Sequence, residues 1–344
     1  MQPENIINPK VSVLMPAYNG AKYIGAAIES ILSQTFADFE FLIINDGSTD
    51  STEHIIKQYN DPRIRLINNE KNLNLVASLN KGIEAARGEY IARQDQDDIS
   101  LPGRIERQVR FMDNNPNIGI CGTAIKFFGA KSFVEIFPED NEAIKAEMFF
   151  KCPFAHPTVI LRKKFFDKNN LRYEAAYNSA EDYELWTRSS KYMELANLTD
   201  VLFHYRIHPS QMGHVFSKTQ VELTRKIQFN FLSNLNIDLS PDEADTYRYI
   251  LGMFITPPSK EMIIKSEKLF QKLIAANKEK KYCRPDIFNK TVSKYFFWLC
   301  YRASEFGIWS WSFFISSELA GYSALTFSQK CKFLIRSILK LKVK

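Results

Sequence analysis

The first hundred residues alternate between short apolar runs and longer amphipathic ones. VSVLMPAY (11–18), FEFLIIN (39–45), RIRLINN (63–69) and EYIARQ (89–94) read as strands. Between them AKYIGAAIESILSQ, STEHIIKQY and LVASLNKGIEAARG place apolar residues at helical spacing, the last closed by Gly88. Strand and helix alternating through short connections predict an α/β fold with a parallel sheet. Ligands of such sheets lie outside the carboxyl ends of the strands. Asp46 and Asp95–Asp98 both fall at strand ends of that kind, so one shared crevice is expected.

The alternation loosens after residue 120. IGICGTAIKFFG and ELANLTDVLFHYRI read as strands, with helices around 140–150, 162–168 and 181–190. Beyond Gly213 the pattern is helical, over 217–235, 241–254, 259–279, 286–303 and 322–343, with Pro257-Pro258 as a break. No internal repeat or low-complexity tract appears. Two domains are expected: an α/β domain over 1–215, and a helical region over 216–344 suited to membrane or oligomer association.

Composition narrows this picture. A hydrophobic fraction of 45% supports a core, which excludes general disorder. The net charge of +6 is unevenly spread: Leu319 to Lys344 contains no acid but includes Lys330, Lys332, Arg336, Lys340, Lys342 and Lys344. A tail of this kind suits an anionic surface rather than nucleic-acid reading. Lys332, Arg336 and Lys340 form one stripe; Cys331, Leu334, Ile335 and Ile338 form another face. Such a helix either lies in a membrane interface or packs on its own domain. The five cysteines form no C-x-x-C, which argues for a reducing compartment and against zinc. MQPENIINPK has no apolar signal region, and Arg302 and Glu305 interrupt the most apolar late stretch. The expected location is cytoplasmic, with the tail as a peripheral contact on the inner face of the membrane.

The chemistry concentrates in IARQDQDDISLP (91–102), with three aspartates in four positions. As a solvated loop its acids would cap the following helix. As an EF-hand it fails, because Ile99 and Ser100 stand where a ligand and a glycine are required and Pro102 interrupts the loop. As a D-x-D site it would share Mg²⁺ or Mn²⁺ with a diphosphate. That needs a nucleotide, for which Pro16-Ala17-Tyr18-Asn19 offers an aromatic ring and amides, and Asp46 an acceptor for a base N–H. Singly, each is equally an ordinary turn, with Asp50 as a helix cap. No G-x-G-x-x-G or Walker A lysine occurs, and His204 and His208 lack the glutamate of a zinc helix.

Taken in order, VSVLMPAYNG, FLIINDGSTDST, LNKGIEAARGEYIARQDQDDISLPGR, PFAHPTVILR, AEDYELW and YRIHP resemble an inverting family 2 glycosyltransferase of the GT-A fold, over residues 10–212. The resemblance implies a Rossmann-like, mostly parallel sheet and a role for each matching residue. Pro16, Tyr18 and Asp46 would line the nucleobase pocket, with Asn19 beside them. Asp95 would reach the ribose or a metal-bound water, Asp97 would ligate Mn²⁺ or Mg²⁺, and Asp98 would shape the turn. Gln96 departs from the small residue common there. Asp182 would be the catalytic base and Glu181 would position it or the acceptor. Arg206 would lie against phosphate and His208 would approach the metal, while His156-Pro157 resembles a pocket loop. The implied activity moves a hexosyl or N-acetylhexosaminyl group from a UDP-sugar to a glycan hydroxyl, such as a lipid-linked surface polysaccharide or lipooligosaccharide. The alternative is a non-catalytic nucleotide-sugar or glycan-binding scaffold.

Overall fold

Val11–Ala17 (β1), Phe39–Asn45 (β2) and Tyr90–Arg93 (β4) are buried along their whole lengths. Continuous burial is what an apolar run without alternation requires, because both faces of the sheet are then covered. The computed structural model describes residues 8–208 and 218–342. Helices Ile24–Leu32 (α1), Thr52–Lys57 (α2) and Leu75–Ala85 (α3) connect these strands and the half-buried edge strand Ile64–Asn68 (β3). Gly88 does not close α3, which ends at Ala85 with Ala86 as its cap. A Cβ on Gly88 would lie 2.4 Å from the Ser12 nitrogen, so the glycine serves a close approach to β1.

The chain continues through Ile99–Ser100 (β5), Arg104–Asn114 (α4), Ile118–Gly129 (β6), Phe133–Glu135 (β7) and Asn141–Glu147 (α5). Ile160–Arg162 (β8), Lys163–Lys168 (α6), Glu181–Ser189 (α7) and Glu194–Ile207 (β9) follow. Among the described residues the sheet order is β3-β2-β1-β4-β8-β6-β9-β5, with β7 beside β6. β1, β2, β3, β4, β6 and β9 share one direction, while β5, β7 and β8 run against it. The fold is α/β with a mostly parallel sheet, as the alternation predicted. The three reversed strands are two or three residues long, too short to leave a readable period.

β9 carries the consequence for function. It pairs with β6 along its whole length, through register shifts beside Thr123 and Ala124. Its far end then pairs with β5, His204 opposite Ile99. Residues 203–207 thereby return to the acidic turn that follows β4.

The chain forms two compact units, 1–141 with 152–224 and 142–151 with 225–344. The boundary expected at 215/216 lies outside the described residues. The division also differs from a single cut, because 142–151 belongs with the helical unit. There Glu147, 2% exposed, meets Lys294 Nζ at 2.5 Å and the Tyr295 hydroxyl at 2.7 Å. Phe150 stacks on Tyr295, with ring centroids 4.1 Å apart. The helices after residue 217 are Lys218–Phe231 (α8), Pro241–Leu251 (α9), Lys260–Lys280 (α10), Pro285–Arg302 (α11), Ile308–Ser316 (α12) and Phe327–Ile338 (α13). Pro257-Pro258 separates α9 from α10 as expected. α12 was not foreseen, because its aromatic residues have little polar contrast to mark a face.

Candidate active site

The parallel strands β1, β2 and β4 end side by side, with Ala17 opposite Asn45 and Leu14 opposite Arg93. Each is followed by a loop holding one part of the expected nucleotide pocket. Pro16 is buried within β1, and Tyr18 beyond it is 43% exposed. Asp46 is buried, and its Oδ1 accepts from Asn69 Nδ2 at 2.7 Å and from the Leu73 nitrogen at 2.9 Å. Gly47, at φ +70°, provides the turn after it. Asn19 works inside the wall: its Oδ1 accepts from the Thr49 nitrogen at 2.8 Å, and its own nitrogen donates to Ser48 Oγ. Asp50 accepts from the nitrogens of Thr52 and Ala21, tying the first turn of α2 to the β1 loop.

Gln96, the departure from the family pattern, has a defined place. Its side-chain amide accepts from the Tyr18 nitrogen and donates to the Tyr18 oxygen, both at 3.0 Å. A Cβ on Gly20 would lie 2.1 Å from Gln96 Oε1, so the glycine leaves room for this clip. The glutamine therefore points away from its acidic neighbours and braces the β1 loop.

The three aspartates are not equivalent. Asp95, Asp97 and Asp98 can each offer a carboxylate oxygen within 4.8 Å of the others. Asp95 Oδ1 pairs with Arg93 Nη1 at 2.5 Å. Asp97 Oδ2 lies 2.7 Å from His208 Nε2. Asp98 is fully buried; its Oδ1 accepts from the Arg206 nitrogen at 2.7 Å, and its Oδ2 has no hydrogen-bond partner among the described residues. Asp98 thus locks the acidic turn to β9 rather than capping α4, whose cap is Gly103. Arg206 Nε donates to the Asp97 oxygen at 2.8 Å, with its guanidinium between the rings of Tyr23 and Phe128.

Burial dominates the electrostatics. It raises the Asp98 carboxyl well above the usual range, with Asp95 and Asp97 adding to the rise. It also raises Asp95, against the opposing pull of Arg93. A cation among these carboxylates would neutralise what the protein leaves uncompensated. The donor set is hard oxygen with one imidazole, which fits Mn²⁺ or Mg²⁺.

Glu181 and Asp182 open α7. Asp182 Oδ1 accepts from the Tyr183 nitrogen at 2.7 Å, and Cys152 Sγ lies 3.9 Å from Oδ2. Glu181 is buried and accepts from the Ser179 nitrogen at 2.7 Å. Burial and the charge of Asp182 push its carboxyl up to about 7, and burial raises Asp182 as well. His156 faces Glu181 at 3.9 Å and meets the Tyr173 hydroxyl at 2.9 Å. Burial and then Arg93 hold this imidazole well below its usual pKa, so it is neutral.

Arg93 is the residue the sequence reading missed. It is 3% exposed, is paired with Asp95, and its charge favours the ionised forms of Glu181 and Asp182. A second buried arginine, Arg104, donates to the Arg93 oxygen, Gln94 Oε1 and Ser100 Oγ. The available signal was an arginine inside a short apolar strand directly before three acids. A charge there is costly unless paired.

A relative from Haemophilus influenzae, an uncharacterized glycosyltransferase, is 33% identical over 249 residues, 67% of this chain and 77% of its own. The family model Glycosyl transferase family 2 matches residues 12–171.

The chain belongs to glycosyltransferase family 2.

The O-antigen biosynthesis glycosyltransferase WbnJ of Escherichia coli is 35% identical over 207 residues, 58% of this transferase and 80% of WbnJ. The structure of S. aureus TarS 1–349 in complex with UDP-GlcNAc is similar in fold at a TM-score of 0.57 and 20% identity, covering 83% of this transferase and 91% of that chain. The matched region contains β1 to β4 and the acidic turn. Glu181, Asp182, Arg206 and His208 lie beyond the 12–171 match.

Proposed function

We propose that the transferase moves a sugar from a UDP-sugar to a hydroxyl of a glycan acceptor with inversion at the anomeric carbon. The observation that carries this reading is Arg93. Paired with Asp95, it also acts electrostatically on Glu181 and Asp182, so one buried cation serves both acidic groups.

Pro16, Tyr18 and Asp46 would hold the nucleobase, and Asp95 the ribose side. Asp97, Asp95 and His208 would hold Mn²⁺ or Mg²⁺, which when bound offsets the charge of the departing diphosphate. Arg206 would lie against phosphate. Asp182 would accept the proton of the acceptor hydroxyl as that oxygen attacks the anomeric carbon. The bond from that carbon to the UDP oxygen breaks, and UDP leaves with the electron pair. Glu181, with its raised pKa, would carry a proton near neutral pH and hydrogen-bond the acceptor or the base.

The UDP-GlcNAc of the TarS structure supports a UDP-sugar donor, and the O-antigen biosynthesis in the name of WbnJ supports a surface-polysaccharide acceptor. The test is UDP release across a panel of UDP-sugars with Mn²⁺. Donor-dependent release that Asp182→Asn abolishes is expected. Nucleotide binding without release from any donor, with every glycan acceptor tried, would favour the non-catalytic scaffold.

A further inference from the structure

α13 turns its apolar stripe outward. Phe333 holds the helix down, its ring centroid 5.4 Å from Trp311, 5.5 Å from Tyr301, 5.6 Å from Phe297 and 5.8 Å from Phe314. One turn later Ser337 Oγ lies 3.1 Å from Ser310 Oγ of α12. Phe333 and Ser337 are the buried residues of the helix. At 3.6 residues per turn, Phe327, Ile338, Cys331 and Ile335 fall within about 80° of one another on a different side. Phe327 is 83% exposed, Ile338 61% and Ile335 54%, and exposed Leu339 and Leu341 follow. Lys330 and Lys332 flank this stripe, one on each side. The neighbouring α12 likewise exposes Ile308 and Ile315, seven residues apart and so on one face.

Charge decides what covers this face. No acid occurs from Leu319 onward. The acids just before it are engaged: Glu305 pairs with Lys342 at 3.4 Å and Glu318 accepts from the Tyr322 hydroxyl. Arg336 is not part of the free cationic surface, because it lies over Tyr301 and donates to the Leu341 and Lys342 carbonyls. A second copy of the face would set lysine against lysine with nothing to offset them. Phosphates around an apolar boundary match both the stripe and its flanks. Among the described residues no helix is long and apolar enough to cross a membrane.

We infer that α13 lies in the interface of an anionic phospholipid bilayer, with Phe327, Ile335, Ile338 and Leu339 at the headgroup–acyl boundary and Lys330, Lys332 and Lys340 at the phosphates. This stands apart from the catalytic reading, because vesicle binding needs no donor or acceptor.

The test is co-sedimentation of the full chain with phosphatidylcholine vesicles and with vesicles containing equal parts phosphatidylglycerol. Binding to the anionic vesicles alone is expected, falling at least about tenfold in Ile335→Asp/Ile338→Asp. Lys330→Glu/Lys332→Glu is expected to weaken it by about fivefold or more per residue at low salt. Both sets of positions are surface ones, so unchanged thermal unfolding should accompany the loss. Equal binding to the two vesicle types, or retained binding in the isoleucine variant, overturns the proposal. So does concentration-dependent self-association that the same variant abolishes while vesicle binding is absent.

Discussion

His208 Nε2 lies 2.7 Å from Asp97 Oδ2, joining the end of β9 to the turn after β4 across 111 positions of sequence. An imidazole held against a carboxylate is a contact that a cation could enter, taking one ligand from each. Asp97→Ala is expected to reduce Mn²⁺-dependent UDP affinity by at least about tenfold, and His208→Ala by about tenfold. Calorimetric titration of UDP with Mn²⁺ and with EDTA measures this. Equal affinities under both conditions in the unmodified chain would remove the metal from the site.

Asp182 is the proposed proton acceptor, and the proposed nucleotide contacts lie on other residues. Asp182→Asn should lower turnover by about 10²–10⁴-fold while leaving UDP affinity unchanged. A variant that turns over as fast as the unmodified chain would refute the assignment of the base.

Arg93 tests the electrostatic account of the crevice. Arg93→Met leaves Asp95 and the carboxylates near it without their buried counter-charge. Breaking a buried pair from one side costs about 3–5 kcal/mol. Urea unfolding should show that loss, and Arg93→Lys should recover part of it by restoring the positive charge.

Glu181 gives a pH signature. Its folded pKa of about 7 exceeds the free value of about 4.3. The folded state therefore holds this proton more tightly than the unfolded one. The contribution to stability is full below about pH 4, declines as pH rises through about 7, and is then gone. The difference amounts to roughly 4 kcal/mol for the shift alone. Glu181→Gln should remove that decline, read as unfolding midpoints between about pH 5 and 8. A decline of the same size in both proteins would show that another group carries it.

Much of the fold was legible locally. β1 and β2 announced themselves because a strand buried on both faces leaves a largely apolar run, and α4 because its apolar residues recur at helical spacing. The acidic turn was visible as a cluster, and its place at a strand end followed from the alternation. The sequence could also mark Gln96 as unusual, though not say that it clips Tyr18, a contact between two loops 78 positions apart.

Tertiary structure decided what each acid does. Asp98 differs from Asp97 only through what β9 brings to it: the Arg206 nitrogen to one and His208 to the other. Arg93 became a shared counter-charge because β4 ends beside both acidic groups. α13 likewise carries its stripes in its sequence, but only the packing of Phe333 and Ser337 determines which stripe faces outward. Periodicity is a property of one element and can be read along the chain. Pairing, burial and the shifts they impose depend on partners far away in sequence, and exist only once the sheet and helices have closed around them.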